Sequence, residues 1–111
     1  MQLDVQQRNG ITVVKVLIQR LDASIASSFK NELLEVVKDG VTKLLIDLSG
    51  VIFIDSSGLG SFVSLLKAMK GKGSVSIAGA NPAVTGLFKL TSMDRVFSIY
   101  PNVDDFLRVN H

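Results

Sequence analysis

The run Leu44-Leu45-Ile46, set between Gly40 and Gly50, constrains the fold more than any other feature of the chain. Successive side chains of a strand point to opposite faces. A strand over Lys43 to Leu48 with near-continuous large aliphatics therefore suits burial on both faces, as in a parallel sheet flanked by helices. The flanking segments agree. Residues 11–18 are rich in β-branched side chains and read as a strand. The Asn9-Gly10 turn signal pairs it with a shorter strand around Leu3 to Gln7. Ala26, Phe29, Leu33, Val36 and Val37 recur at helical spacing, with Ser24 as the expected N-cap and Gly40 as the stop.

The alternation continues to the end of the chain. Leu59, Phe62, Val63, Leu66 and Met69 form a helical stripe closed by Lys70-Gly71-Lys72-Gly73. Ser74 to Ala78 reads as a strand. Asn81-Pro82 then supplies a cap and a proline at the first helical position, opening a helix through Val84, Leu87, Phe88 and Leu90. Phe97 to Tyr100 is the last expected strand. Pro101-Asn102 starts a terminal helix whose first turn holds Asp104 and Asp105, favourable to the helix dipole. The order β, β, α, β, α, β, α, β, α predicts a small α/β sandwich over residues 1–111, a single domain. Its sheet is mixed but mostly parallel, with four to five strands and about four helices.

Composition narrows the function. The 111 residues are 47% hydrophobic, enough for one core and against disorder. The chain has no cysteine, which removes a disulfide framework, a zinc ribbon and a cysteine nucleophile. The N-terminus lacks the regions of a secretory signal, and no apolar run approaches the ~20 residues that span a bilayer. The expected address is cytoplasmic, with no membrane partner. The net charge is +2, but Lys67, Lys70 and Lys72 make the only local cluster, at the far end of a helix. With one tyrosine and no tryptophan, the basic stripe and stacking aromatics of a nucleic-acid surface are missing.

The most specific segment is Ile54-Asp55-Ser56-Ser57-Gly58-Leu59-Gly60, where a strand ends and a helix begins. A hydrolase is the tempting reading, but its nucleophile elbow is Gly-x-Ser-x-Gly, and Asp55 stands in place of the first glycine. The only histidine is His111, the last residue, so no positioned base accompanies the serines. No phosphate-binding loop or complete dinucleotide fingerprint occurs. Asp22, Asp47 and Asp55 are scattered acids that read better as turn and cap residues than as a metal site. No catalytic residue, metal or cofactor is therefore expected.

Two readings of the serines remain. Ser56 or Ser57 can cap the helix, worth ~1 kcal/mol. Alternatively, Ser56 can carry a phosphate, adding about −1.5 to −2 charge at a helix start whose free N–H groups and dipole tolerate an anion. The second would leave the fold intact and turn a neutral patch strongly anionic.

The chain resembles the STAS-domain anti-sigma factor antagonists of bacteria along nearly its whole length. The resemblance rests on Leu21-Asp22-Ala23, Leu45-Ile46-Asp47-Leu48 and above all Phe53-Ile54-Asp55-Ser56-Ser57-Gly58-Leu59-Gly60. Asn81-Pro82-Ala83-Val84 and Leu87-Phe88-Lys89-Leu90-Thr91 add support. It implies a partner-switching regulator of transcription in stress or developmental signalling. Unphosphorylated, such a domain binds a kinase-type anti-sigma factor, which then frees its sigma factor. The kinase phosphorylates the first serine of the motif, here Ser56, and so ends the complex; a PP2C-like phosphatase reverses the step. Asp22, Asp55, Ser57, Gly58 and Leu59 would surround the phosphosite. In that scheme Ser57 caps the helix, Gly58 allows close approach, and the two acids form a rim. The alternative is a STAS subunit with another task, in a sensory complex, chemotaxis-linked regulation or lipid transport. Gln19 and Ser92 stand where many relatives have glycine.

Overall fold

The structure, a computed structural model, describes residues 2–110; the expectation on His111 lies outside them. The elements run β1 (Leu3–Arg8), β2 (Ile11–Val16), β3 (Arg20–Leu21), α1 (Ala26–Val37), β4 (Lys43–Asp47), β5 (Phe53–Ile54), α2 (Ser56–Met69), β6 (Ser74–Ala78), α3 (Pro82–Leu90), β7 (Ser98–Tyr100) and α4 (Val103–Val109). A 3-10 turn over Met93–Arg95 precedes β7. The main sheet has five strands in the order β1-β2-β4-β6-β7. β1 is antiparallel to β2, and the other neighbours are parallel. This is the expected mixed α/β architecture. The β1–β2 turn places Asn9 at φ 55° and Gly10 at φ 80°, the two left-handed positions of a tight hairpin.

The central strand is buried on both faces as its composition suggests. Leu44 and Ile46 join the larger core with Phe29, Leu33, Phe62 and Phe88. Leu45 turns to a smaller cluster with Ile11, Val13, Ala78 and Phe106. Phe62 is the hub of the larger core, with its ring edge-on to Phe29 at 5.6 Å, to Phe88 at 5.7 Å and to Phe97 at 6.3 Å. Aromatic pairs favour this arrangement because a positive ring edge meets a negative face.

The structure differs from the sequence expectations in detail. The buried stripe of α2 runs through Leu59, Phe62, Leu65 and Met69, while Val63 and Leu66 are only half-buried. Leu90 ends α3 beyond its buried face and is 83% exposed. Ser24 does not cap α1, which has no side-chain cap bond. Its hydroxyl instead donates to Asp22 Oδ1 at 2.5 Å, in a turn where the Asp22 carbonyl accepts from Ile25 and Ala26. A second, two-stranded sheet was not expected: β3 lies parallel to β5, pairing Arg20 with Phe53 and Leu21 with Ile54.

Candidate functional site

That small sheet builds the site. It brings the turn after β3, which carries Asp22 and Ala23, against the start of α2, which carries Asp55 and the two serines. The join extends past the paired residues, because the Asp55 N–H donates to the Leu21 carbonyl at 3.1 Å. Upstream, the Gln19 carbonyl accepts from Ile52 at 2.8 Å and from Phe53 at 3.3 Å.

Asp55, not either serine, is the N-cap of α2. Its backbone is extended at φ −100°, ψ −174°, while Ser56 and Ser57 are already helical. One carboxylate oxygen accepts the Gly58 N–H at 2.9 Å, satisfying one of the orphan donors of the helix start. The other accepts the Ala23 N–H at 3.1 Å and so ties the neighbouring turn to the helix. The capping role expected of Ser57 is thereby corrected: the residue before the serines does it.

Ser56 is the first helical residue, exposed, and its hydroxyl has no hydrogen-bond partner among the described residues. Ser57 is likewise exposed and lines a polar groove of about 310 Å³ between α1 and α2, together with Ser27, Lys30 and Ser64. Gly58 and Leu59 are buried and support the turn from beneath. A Cβ on Gly58 would lie 2.2 Å from the Leu21 carbonyl oxygen, so glycine is what lets α2 start this close to β3.

Asp22 lies beside the turn. Its Oδ1 accepts from the Ser24 N–H at 3.0 Å and from the Ser24 hydroxyl. Arg20 Nε stands 3.7 Å from its Oδ2. The Ser24 hydroxyl is the main cause holding the Asp22 carboxyl below its ordinary pKa; the Ser24 N–H and Arg20 add to it, against a desolvation that acts the other way. Asp22, Asp47 and Asp55 are not gathered: no group of three metal-ligating side chains exists among the described residues.

Residues missed at the sequence level complete the surface. Phe53 and Ile52 are 39% and 56% exposed, and the Arg20 guanidinium lies over the Phe53 ring, 4.4 Å from its centroid. They border an apolar cleft of about 210 Å³ reaching Ala83, Val84 and Leu87 of α3. The signal was the unbroken apolar run Val51-Ile52-Phe53-Ile54, too long for a two-residue strand to bury.

Fold and turn together define the class: a small α/β domain presenting a serine-tipped helix start as a surface, with an apolar shelf beside it. The chain belongs to the STAS domain family, whose model matches residues 2–106. It is 30% identical to the anti-sigma-B factor antagonist of Listeria monocytogenes, over 98% of this chain and 96% of that one. A Thermotoga neapolitana protein named as an anti-sigma factor antagonist homolog is 32% identical over 74 residues. That match spans just under two thirds of the Thermotoga protein, 66% of its length and 66% of this chain. Among solved structures, an anti-sigma factor antagonist from Mycobacterium paratuberculosis superposes with a TM-score of 0.86 at 29% identity, covering 96% of this chain and 90% of that one. No helix among the described residues is long and apolar enough to cross a membrane.

Proposed function

We propose that this domain is an anti-sigma factor antagonist switched by phosphorylation of Ser56. Unphosphorylated, its serine-turn face binds a kinase-type anti-sigma factor in the cytoplasm, and the sigma factor held by that kinase is released. Transfer of the ATP γ-phosphate to Ser56 Oγ ends the complex, and a PP2C-like phosphatase restores it. The domain serves as ligand and substrate, not as catalyst.

One observation carries this reading: the Ser56 hydroxyl is exposed at the first position of α2 and unbonded among the described residues, while the cap is held by Asp55. Modification therefore removes no bond that the fold uses. A dianion there sits at the positive end of the helix dipole, beside N–H groups that lack an intrahelical acceptor. The folded domain tolerates the phosphate; a closely packed partner does not. Burying an unpaired charge costs several kcal/mol, and ~1.4 kcal/mol is tenfold in affinity. The apolar shelf of Ile52 and Phe53 supplies contact area next to the switch.

The test is binding of Ser56→Ala and Ser56→Asp to an anti-sigma factor kinase, with intact-mass and peptide analysis of the wild-type protein after incubation with kinase and ATP. A single phosphate on Ser56, with at least tenfold weaker binding by Ser56→Asp than by Ser56→Ala, is the expected result. Equal binding by both variants and no phosphate would make Ser56 an exposed helix residue of a constitutive binding module.

A further inference from the structure

β1 is an edge strand: in the order β1-β2-β4-β6-β7 no strand of the described residues lies outside it. Natural proteins usually blunt such an edge with charged side chains, lysine above all, or with proline, a bulge or a very short strand. Of these β1 has only two charges, Asp4 and Arg8, and they are of opposite sign. Its six residues, Leu-Asp-Val-Gln-Gln-Arg, contain neither lysine nor proline, and Asp4 to Arg8 are all exposed. They pair with β2 residue for residue, from Leu3 against Val16 to Arg8 against Ile11, without a bulge.

The open backbone groups can be assigned. Leu17 N–H donates to the Gln2 carbonyl at 2.8 Å, so the main-chain groups of Gln2 turn toward β2. In an antiparallel pair this orientation alternates along the strand. Gln2, Asp4, Gln6 and Arg8 therefore face β2, and Leu3, Val5 and Gln7 turn their N–H and C=O groups outward. The tight turn closed by the Arg8–Ile11 pair gives the same parity.

A second copy of the chain can add to this edge about a two-fold axis only in registers that match outward-facing residues. The register centred on Gln6 sets Val5 against Gln7 of the second copy as hydrogen-bonded pairs. It also sets Asp4 against Arg8 of the second copy, twice by symmetry, and Gln6 against its own equivalent. The register centred on Val5 sets Asp4 against Gln6 and makes no ion pair. Asp4 and Arg8 form no ion pair within the chain among the described residues, and their side chains share one face of the sheet.

We propose that β1 is a self-recognition edge, through which two copies of this chain pair antiparallel, centred on Gln6, and join their sheets into one. The Asp4–Arg8 complementarity selects a second copy over other strands and sets the register. None of the residues of the serine site lies on β1, so this association stands apart from the Ser56 switch.

The test uses the absence of cysteine from the chain. Residue 6 sits on the axis in a non-hydrogen-bonded pair, where the two Cα atoms are ~4.5 Å apart, close enough for a disulfide. Gln6→Cys is expected to oxidise to a covalent dimer much faster than Val5→Cys or Gln7→Cys. In sedimentation over the micromolar to millimolar range, Asp4→Arg is expected to weaken self-association at least tenfold, and Asp4→Arg with Arg8→Asp to restore it. Equal or faster crosslinking at residue 5 or 7, a wild-type protein monomeric throughout that range, or a double variant no better than Asp4→Arg would each overturn the proposal.

Discussion

Asp55 carries more of the local structure than its place beside two serines suggests. Its carboxylate holds the Gly58 and Ala23 N–H groups, and its main chain bonds Leu21 and Leu59. Asp55→Ala is expected to lower stability by ~1–2 kcal/mol through loss of the cap, measured by urea unfolding, whereas Ser56→Ala should be close to neutral. That contrast separates the capping residue from the one proposed to carry the phosphate. Gly58→Ala is expected to cost ~2–3 kcal/mol, because its Cβ would strike the Leu21 carbonyl and force α2 outward. Ser92 holds φ 61°, a left-handed conformation that costs a non-glycine residue ~1 kcal/mol. Ser92→Gly should recover about that much as a higher urea midpoint. Gln19 is not among the positive-φ residues, so its backbone does not call for glycine. The sequence could not show which residue caps α2. Aspartate and serine are both good caps, and only the extended backbone at Asp55 decides between them.

Elements several turns or several residues long were legible, because their apolar period repeats often enough to be read. Every expected strand and helix of the main sheet and its cover is present, with ends displaced by a residue or two. The β3–β5 pair was not legible. Two residues hold no period, and the pairing joins segments far apart in sequence. Yet this pair positions Asp22 beside the serine turn, so the part of the site hidden from the sequence is its assembly, not its residues. The turn that follows β3 also has a pH response. The folded Asp22 carboxyl titrates below its ordinary value, so its contribution is complete above the ordinary carboxylate range. It is lost as pH falls through the lowered pKa. Amide exchange at Ser24 should therefore accelerate, beyond its intrinsic pH dependence, as pH falls below the ordinary carboxylate range and through the lowered Asp22 value. Ser24→Ala removes the largest cause of the lowering but keeps the residue-24 N–H bond and Arg20, so it should shift that extra response to higher pH while leaving exchange in α2 unchanged.

Across the whole molecule, the two faces of the sheet are unequal. Three helices, α1, α2 and α3, and the four phenylalanines Phe29, Phe62, Phe88 and Phe97 fill one side. The short α4 covers part of the other. Phe62→Ala is expected to cost ~3–5 kcal/mol and lower the thermal midpoint by well over ten degrees, since it removes the ring that the other three share. Tyr100, the chain's one tyrosine in the absence of any tryptophan, sits on the α4 side, edge-on to Phe106 at 5.0 Å. Emission excited at wavelengths that phenylalanine hardly absorbs therefore originates at a single point. It is sensitive to the seating of the terminal helix and has no tyrosine or tryptophan source beside Ser56, so the molecule has a built-in optical gauge of one face that is silent about events on the other.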